Sequence, residues 1–288
     1  MERFLGSADP AIRRLAGDQR AVIMQSPKVK ILINFPAVHP YKKWWGTHWR
    51  LVSLADLEVD QVRAIIEPGI EQELKWLASP RRRIKIIDGL VRHCASQEGN
   101  AVYACSRLGF ASDPRVKKLV NWLIDWQWPD GGWNCDQKAS GRRSSFHETV
   151  TPALGLVEYY RATGERKALA AAQEAAGLLL EHNLFRSLKT GEVIDPAWLK
   201  PHYPPYWHYD LLQGLRLIDA VGFFPDPRAD EALEILEKNR RKDGRFAGPK
   251  WYSKKQPDAV DWGSGAENEM LNLLIEKALL AGRKNEKS

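Results

Sequence analysis

The chain has 288 residues, 27% charged and 44% hydrophobic, close to globular averages, which excludes wholesale disorder. Its formal net charge of +7 comes from 43 basic and 36 acidic residues, and its basic runs (Arg81-Arg82-Arg83, Arg142-Arg143, Arg240-Arg241-Lys242) are too short and dispersed for a nucleic-acid footprint. No run approaches the ~18 apolar residues of a membrane span. The opening MERFLGSADPAIRR lacks an apolar signal core, and three cysteines (Cys94, Cys105, Cys135) without CxxC spacing point to free thiols in a reducing, cytoplasmic setting.

In chain order, Asp9-Pro10 reads as an N-cap with proline at the first helical position, and apolar residues recur at helical spacing from Ile12 to Ile23. Residues 1–35 are therefore expected to be an N-terminal helical extension, with a further short helix over 29–33. The loop NFPAVHPYKKWWG (34–46) leads into a short apolar helix over 48–57 that starts near Thr47. A charged amphipathic helix is expected over 61–77, interrupted at Pro68-Gly69. The basic stretch up to Gly99 specifies no element, and 100–109 reads as a nearly uncharged helix.

Asp113-Pro114 caps an amphipathic helix over 114–127, followed by a loop with Asp130-Gly131-Gly132. Ser145-Phe146-His147-Glu148 has the form of a capping box before an apolar helix over 147–160, whose Pro152 can kink it. An Ala/Leu-rich helix over 166–182 and a loop with four prolines (183–205) follow. Then come an apolar helix over 208–221, a helix over 227–240 capped by Asp226-Pro227, and an apolar helix over 267–281 behind a second capping box, Ser264 to Glu267. Residues 283–288 are expected to be a polar, disordered tail. No strand is expected, because apolar residues rarely alternate.

Two kinds of helix thus take turns. Those over 61–77, 114–127, 166–182 and 227–240 are amphipathic; the others are apolar nearly all round and must be buried. The simplest arrangement is all-α: an α/α toroid over 36–282, a ring of about five to six hairpins with apolar helices inside and amphipathic ones outside. The chain also repeats itself. Gly109-Phe110-x-x-Asp113-Pro114-Arg115 recurs as Gly222-Phe223-x-x-Asp226-Pro227-Arg228. In both copies an Asp-Gly begins 17 residues after the capping aspartate (130 − 113, 243 − 226), and the segment closes on an aromatic, Trp133 or Phe246.

The segment LIDWQWPDGGW, Leu123 to Trp133, resembles the QW repeat of squalene and oxidosqualene cyclases, without that family's preceding basic-Gly pair. The second copy has Asn239-Arg240 in place of the glutamine and is degenerate. The wider pattern, from about Trp49 to Ala281, is similar to the α/α toroids of terpenoid cyclases and protein prenyltransferases. The resemblance implies the toroid fold and a structural role for Gln127 and Trp133: the glutamine caps a helix end, the tryptophan stacks over it, and outer helices are tied together. It also implies a small, largely apolar ligand such as an isoprenoid in an aromatic-lined cavity. The family's catalytic signatures are absent. There is no Asp-x-Asp-Asp and no Asp-Asp-x-x-Asp, and Cys135-Asp136 is not the Asp-x-Cys of the prenyltransferase zinc site, so no cofactor is specified.

If inner helices run parallel in a ring, their N-termini share one mouth, rich in unpaired N–H groups and suited to an anionic or oxygen-rich ligand. His147, His208, Tyr209 and Asp210 are the candidate catalytic residues there. His48, Trp49, Asn100, Trp133, Trp207 and Trp262 are the candidate binding residues, their aromatic faces able to steady a developing cation. A zinc ion on His48, His147 and His208 would need the inner helices to stand close across the ring. The structural alternative makes Glu148 and Glu267 capping-box partners of Ser145 and Ser264, with the histidines bonded to loop carbonyls. Three functions follow. One is binding or transformation of an isoprenoid-like small molecule. Another is glycan processing, with Asn100, His147 or His208 and Tyr209 abstracting a proton, or Asp210 and Asp136 acting as a hydrolytic pair. The third is a non-catalytic scaffold. None requires nucleic acid or a membrane span, and oligomeric state is left open.

Overall fold

The computed structural model describes residues 27–57, 63–79, 84–249 and 260–283. The helix expected from Asp9 onward, the Arg81-Arg82-Arg83 run and the C-terminal tail lie outside them. Among the described residues the protein is mostly helical. Its helices are α1 (Lys28–Leu32), α2 (Thr47–Leu57), α3 (Arg63–Leu77), α4 (Ala95–Arg107), α5 (Pro114–Asp125), α6 (Phe146–Thr163), α7 (Arg166–Glu181), α8 (Leu211–Val221), α9 (Asp230–Lys238) and α10 (Glu269–Arg283). Two short 3₁₀ turns, Pro196–Leu199 and Pro227–Ala229, and one hairpin, β1 (Lys85–Ile87) with β2 (Leu90–Arg92), complete the elements. No helix among the described residues is long and apolar enough to cross a membrane.

Of these residues, 32–178 form one compact unit and the remainder a second. In the first, α4 lies at the centre, against α2, α3, α5 and α6. As expected of helices apolar on every side, α2, α4 and α6 bury nearly all their residues. α5 is amphipathic and buries a single stripe, Val116, Leu119, Val120 and Leu123, at spacings of three and four. The closest approach is between α4 and α6. A Cβ on Gly99 would fall 2.4 Å from the backbone nitrogen of Pro152, and one on Gly155 would fall 2.5 Å from the Gly99 carbonyl oxygen. Only glycine lets the two backbones touch. The second unit packs α8, α9 and α10 around Leu212, Leu215, Ile218, Leu236, Phe246, Leu271 and Ile275.

The sequence repeat has a common local structure. The Asp113 carboxylate accepts the Arg115 N–H (2.8 Å) and Asp226 accepts the Arg228 N–H (2.9 Å), each with proline at the first helical position. Gln127 donates from Nε2 to the carbonyls of Gly131 (2.7 Å) and of Ala171 on α7 (2.8 Å). The Trp133 indole N–H donates to the Leu123 carbonyl (2.8 Å), which caps the end of α5. At the same place in the second copy, the Arg240 guanidinium donates to the Gly244 carbonyl (3.0 Å), pairs with Glu276 on α10 and lies 4.5 Å over the Phe246 ring.

Four expectations are corrected. The stretch before Gly99 holds a hairpin, turned at Asp88-Gly89 with φ of 51° and 76°, the left-handed pair that an Asp-Gly type I′ turn needs. Its three-residue strands are too short to show alternation. α4 starts at Ala95, with Cys94 at its N-cap. α3 runs through Pro68, where Gly69 packs directly beneath the Phe35 ring. α10 starts at Glu269, and its cap is Asn268, whose Oδ1 accepts the Leu271 N–H (3.0 Å), rather than Ser264.

Gly99→Ala is expected to force α4 and α6 apart and cost about 1–3 kcal/mol. Gly177→Ala, in α7 with no atom within 4 Å of the new Cβ, should instead stabilise by up to ~1 kcal/mol. Urea unfolding midpoints measure both, and equal midpoints for Gly99→Ala and the parent would refute the contact as drawn.

Candidate functional site

In the first unit the openings of α2, α4 and α6 come together. The loop before α2 carries Tyr41, which is half-buried with its ring 5.2 Å from His48, 4.9 Å from Trp49 and 5.6 Å from Trp76. Trp49 is buried between His48 (4.5 Å) and Trp44 (5.0 Å). His48 Nδ1 lies 2.6 Å from Glu73 Oε1 on α3, both side chains 1% exposed. Its Nε2 lies 3.4 Å from the Asn100 side-chain amide on α4. The carboxylate can only accept, so Nδ1 carries the proton and the Nε2 lone pair faces the amide. The buried imidazole is thus held in place by the Glu73 carboxylate.

On the hydroxyl side of Tyr41 lie Gln97, Cys94, Cys135 and Glu148. Burial, then the charges of Glu148, Cys94 and Cys135, push the Tyr41 phenol well up, against a hydrogen bond with Gln97. It stays a neutral donor. A bridge between Arg92 and Asn134 holds the end of β2 beside the loop after Trp133, which brings Cys94 next to Cys135 although 135 − 94 = 41 residues separate them. Glu148, in the first turn of α6, is no capping-box residue. Ser145 makes no side-chain cap, and Glu148 reaches across to α4, where Oε2 accepts the Ser96 N–H (2.9 Å). Its Oε1 accepts from Cys135 Sγ (3.7 Å). Burial raises the Glu148 pKa, opposed by the hydrogen bonds from Ser96 and Cys135 and by nearby His93. The Cys135 thiol is pushed up by its hydrogen bond with Cys94, then by burial, then by Glu148. Cys94, Cys135 and Glu148 offer one ligand atom each, all within 4.8 Å of one another, the one such group of three among the described residues.

The second unit holds the Trp207–Asp210 segment. Asp210 is the N-cap of α8: Oδ1 accepts the Gln213 N–H (3.1 Å), and Oδ2 accepts the His202 N–H (3.1 Å) and lies 3.0 Å from His202 Nδ1. The fully buried Tyr209 donates its hydroxyl to the Leu184 carbonyl (2.6 Å), and burial followed by Asp210 pushes its phenol up. His208 stacks on half-buried Trp207 at 3.8 Å and lies 6.1 Å from the His202 ring. Trp262 packs edge-on against Tyr203 (5.3 Å), whose carbonyl accepts from Asn268 (2.9 Å). Two clefts in this unit, about 520 and 320 Å³, are lined by Leu233, Glu237 and Arg283 and by Leu236, Phe246 and Ile275, so none of the expected site residues lines them.

Thus His48, Trp49 and Asn100 meet in the first unit, while Trp207, His208, Tyr209 and Asp210 meet in the second. His147 is half-buried on the first turn of α6. Trp133 is 1% exposed and bonded to Leu123, and the buried Tyr209 is bonded to Leu184, so both pack in the interior. With Glu73 and Asn100 on its two nitrogens, His48 has no place in a three-histidine zinc set. Sequence reasoning missed Tyr41, Glu73, Gln97, His202 and the thiol pair. Only Tyr41 carried a signal, its place in the aromatic loop entering α2. Comparison with protein-family models, curated proteins and solved structures finds no match.

An acid whose folded pKa lies above its unfolded value lends stability that is complete below the unfolded pKa and is lost as pH rises through the folded one. In chelator-treated protein, Glu148→Gln should therefore be more stable than the parent at pH 8 and no more stable at pH 4. His48→Ala strands the Glu73 carboxylate and should cost about 3 kcal/mol. Restoring neutrality in His48→Ala/Glu73→Ala should recover at least ~1 kcal/mol of the summed single costs, and additive costs would show that the pair is not coupled.

Proposed function

We propose that this chain is an α/α toroid of the terpenoid-cyclase and prenyltransferase kind, which binds or transforms a small, largely apolar ligand, an isoprenoid for preference, at the openings of α2, α4 and α6. The observation that carries the proposal is the gathering of these three openings around one half-buried aromatic, Tyr41, with His48, Gln97, Asn100 and Glu148 beside it. Support for the ring comes from the alternation of buried and amphipathic helices and from the ties that Gln127 makes to α7 and Arg240 to α10.

Two proton positions serve the chemistry. The Nε2 of His48, with Nδ1 held by Glu73, becomes a proton acceptor when a ligand displaces the Asn100 amide from it; the Tyr41 phenol, kept neutral by its surroundings, is a donor. Tyr41, Trp44, Trp49 and Trp76 present ring faces to an unsaturated chain and to positive charge that develops along it. Farnesyl and geranylgeranyl diphosphates and squalene should quench tryptophan fluorescence saturably, and products should appear on extraction. Tyr41→Phe should lower turnover about a hundredfold. Absence of saturable binding and of product with every isoprenoid would overturn the proposal.

A second possibility rests on a specific observation. Asn100, His48 and Tyr41 assemble the Asn/His/Tyr set that a polysaccharide lyase uses to remove a proton beside a carboxylate, with His48 and Tyr41 in place of the histidine and tyrosine expected from sequence. Ultraviolet absorbance of an unsaturated product from uronic-acid polymers would establish this activity and displace the isoprenoid.

A further inference from the structure

We propose that Cys94, Cys135 and Glu148 bind one zinc ion through two thiolates and a carboxylate, with the fourth tetrahedral position left for water or an oxygen of a ligand. The donor set selects the metal. Two sulfurs favour a soft or borderline ion and exclude magnesium and calcium, which take oxygen. Three protein ligands with one open position is the pattern of catalytic rather than structural zinc.

The geometry is close to what coordination requires. With Zn–S of about 2.3 Å and Zn–O of about 2.0–2.2 Å, tetrahedral neighbours stand roughly 3.5–3.8 Å apart. Cys135 Sγ and Glu148 Oε1 are 3.7 Å apart, and all three donor atoms lie within 4.8 Å of one another. Closing on an ion asks for shifts of an ångström or less.

The anchors are independent and rigid. Cys94 is the N-cap of α4, and Glu148 lies in the first turn of α6, the two helices whose backbones touch at Gly99, Pro152 and Gly155. The loop that holds Cys135 is pinned by the Arg92–Asn134 bridge, by the Arg92 guanidinium on the carbonyls of Asp136 (3.2 Å) and Gly141 (2.7 Å), and by the Asn134 amide on the Arg143 carbonyl (2.8 Å). Glu148 is 6% exposed, and the Ser96 N–H on Oε2 fixes its rotamer while Oε1 points at Cys135. Each thiol gives its proton to solvent as its sulfur takes the ion. The donors share neither the Asp-x-Cys spacing nor the distant histidine of the prenyltransferase zinc.

The test uses the full chain, reduced and stripped with chelator, without any organic substrate, so that its outcome is separate from that of the isoprenoid assays. Zinc is titrated in competition with a chromogenic chelator, and cobalt is titrated as a spectroscopic surrogate. The expected result is one equivalent per chain and a thiolate-to-cobalt charge-transfer band with the intensity of two thiolates. Cys135→Ser and Cys94→Ser should each halve that band, and Glu148→Gln should weaken zinc binding at least about tenfold with the band retained. Circular dichroism confirms that each variant is folded. Cys105→Ser, about three turns along α4 from Cys94 (105 − 94 = 11 residues), should bind as the parent does. Absence of stoichiometric binding, binding indifferent to all three substitutions, or a Cys94–Cys135 disulfide whose reduced form takes no metal would each overturn the proposal.

Discussion

The backbone contact between α4 and α6 is the constraint on which the first unit depends. Helices normally stand 8–10 Å apart, held off by side chains. Here Gly99 and Gly155 remove the side chains at the crossing, and Pro152 presents a nitrogen without a hydrogen, so no α6 donor is trapped against α4. Pro152 is therefore no defect in α6 but part of the surface that Gly99 meets. The openings of both helices are fixed as a consequence: Cys94, Ser96, Gln97 and Asn100 on one side, Glu148 on the other. A carboxylate that would ordinarily fold back on its own helix end is instead within reach of the neighbour's N–H.

Burying helices on every side creates a second demand. Their ends cannot be solvated, so loops and side chains must supply the partners. The unit answers with polar groups held in apolar surroundings: His48 with Glu73, the Tyr103 hydroxyl on Asp56 (2.6 Å), and Arg107 between Glu158 (3.4 Å) and the Ala55 carbonyl (2.9 Å). Such pairs seldom raise stability above that of a well-packed apolar core. Their placement differs, however. Asp56 and Arg107 serve the far ends of α2 and α4, whereas His48, Asn100 and Glu148 crowd the near ends around the half-buried Tyr41 and two half-buried thiols. The same need for polar partners thus shapes both ends, and the half-buried tyrosine and thiols gather at the near one.

Much of the helical framework was legible, because two period-based signals carried it. Apolar positions at spacings of three and four located α5 and α9, and all-round apolarity located α2, α6, α8 and α10. The Asp-Pro cap at 113 marked the start of α5, and the one at 226 marked the 3₁₀ turn Pro227–Ala229 that leads into α9 rather than α9 itself, both through a local mechanism that needs no tertiary contact. What failed was whatever depends on the partner. The Ser145–Glu148 spacing satisfies the capping-box pattern, yet the Ser96 N–H on α4 competes for the same carboxylate and wins. Cys94 and Cys135 have no motif between them, since a bridge from β2 to a distant loop joins them. The hairpin left only an Asp-Gly pair as its signature. At the openings of α2, α4 and α6, the sequence named His48, Trp49 and Asn100, while their neighbours Tyr41 and Glu73 come from the loop before α2 and from α3, where no motif marks them.

The second repeat sharpens what counts as degeneracy. Judged by residue type, Asn239-Arg240 has lost the glutamine of the first copy. Judged by contacts, Arg240 stands where Gln127 stands. Each donates to the carbonyl four residues on, Gly131 or Gly244, and each reaches the next helix, through the Ala171 carbonyl on α7 or the Glu276 carboxylate on α10. The aromatic that closes the segment is tied in the same way as well. The Trp133 N–H meets Thr149 on α6, and the Phe246 N–H meets Asn272 on α10. A guanidinium that replaces a neutral amide brings a positive charge and more donors than two carbonyls can use, so an anionic acceptor suits it better than a second carbonyl. Glu276, with Glu237 beside it, supplies that acceptor. The repeat has therefore exchanged one residue for a pair while conserving the joint. Physical equivalence of this kind leaves no trace in a pattern written as single residues.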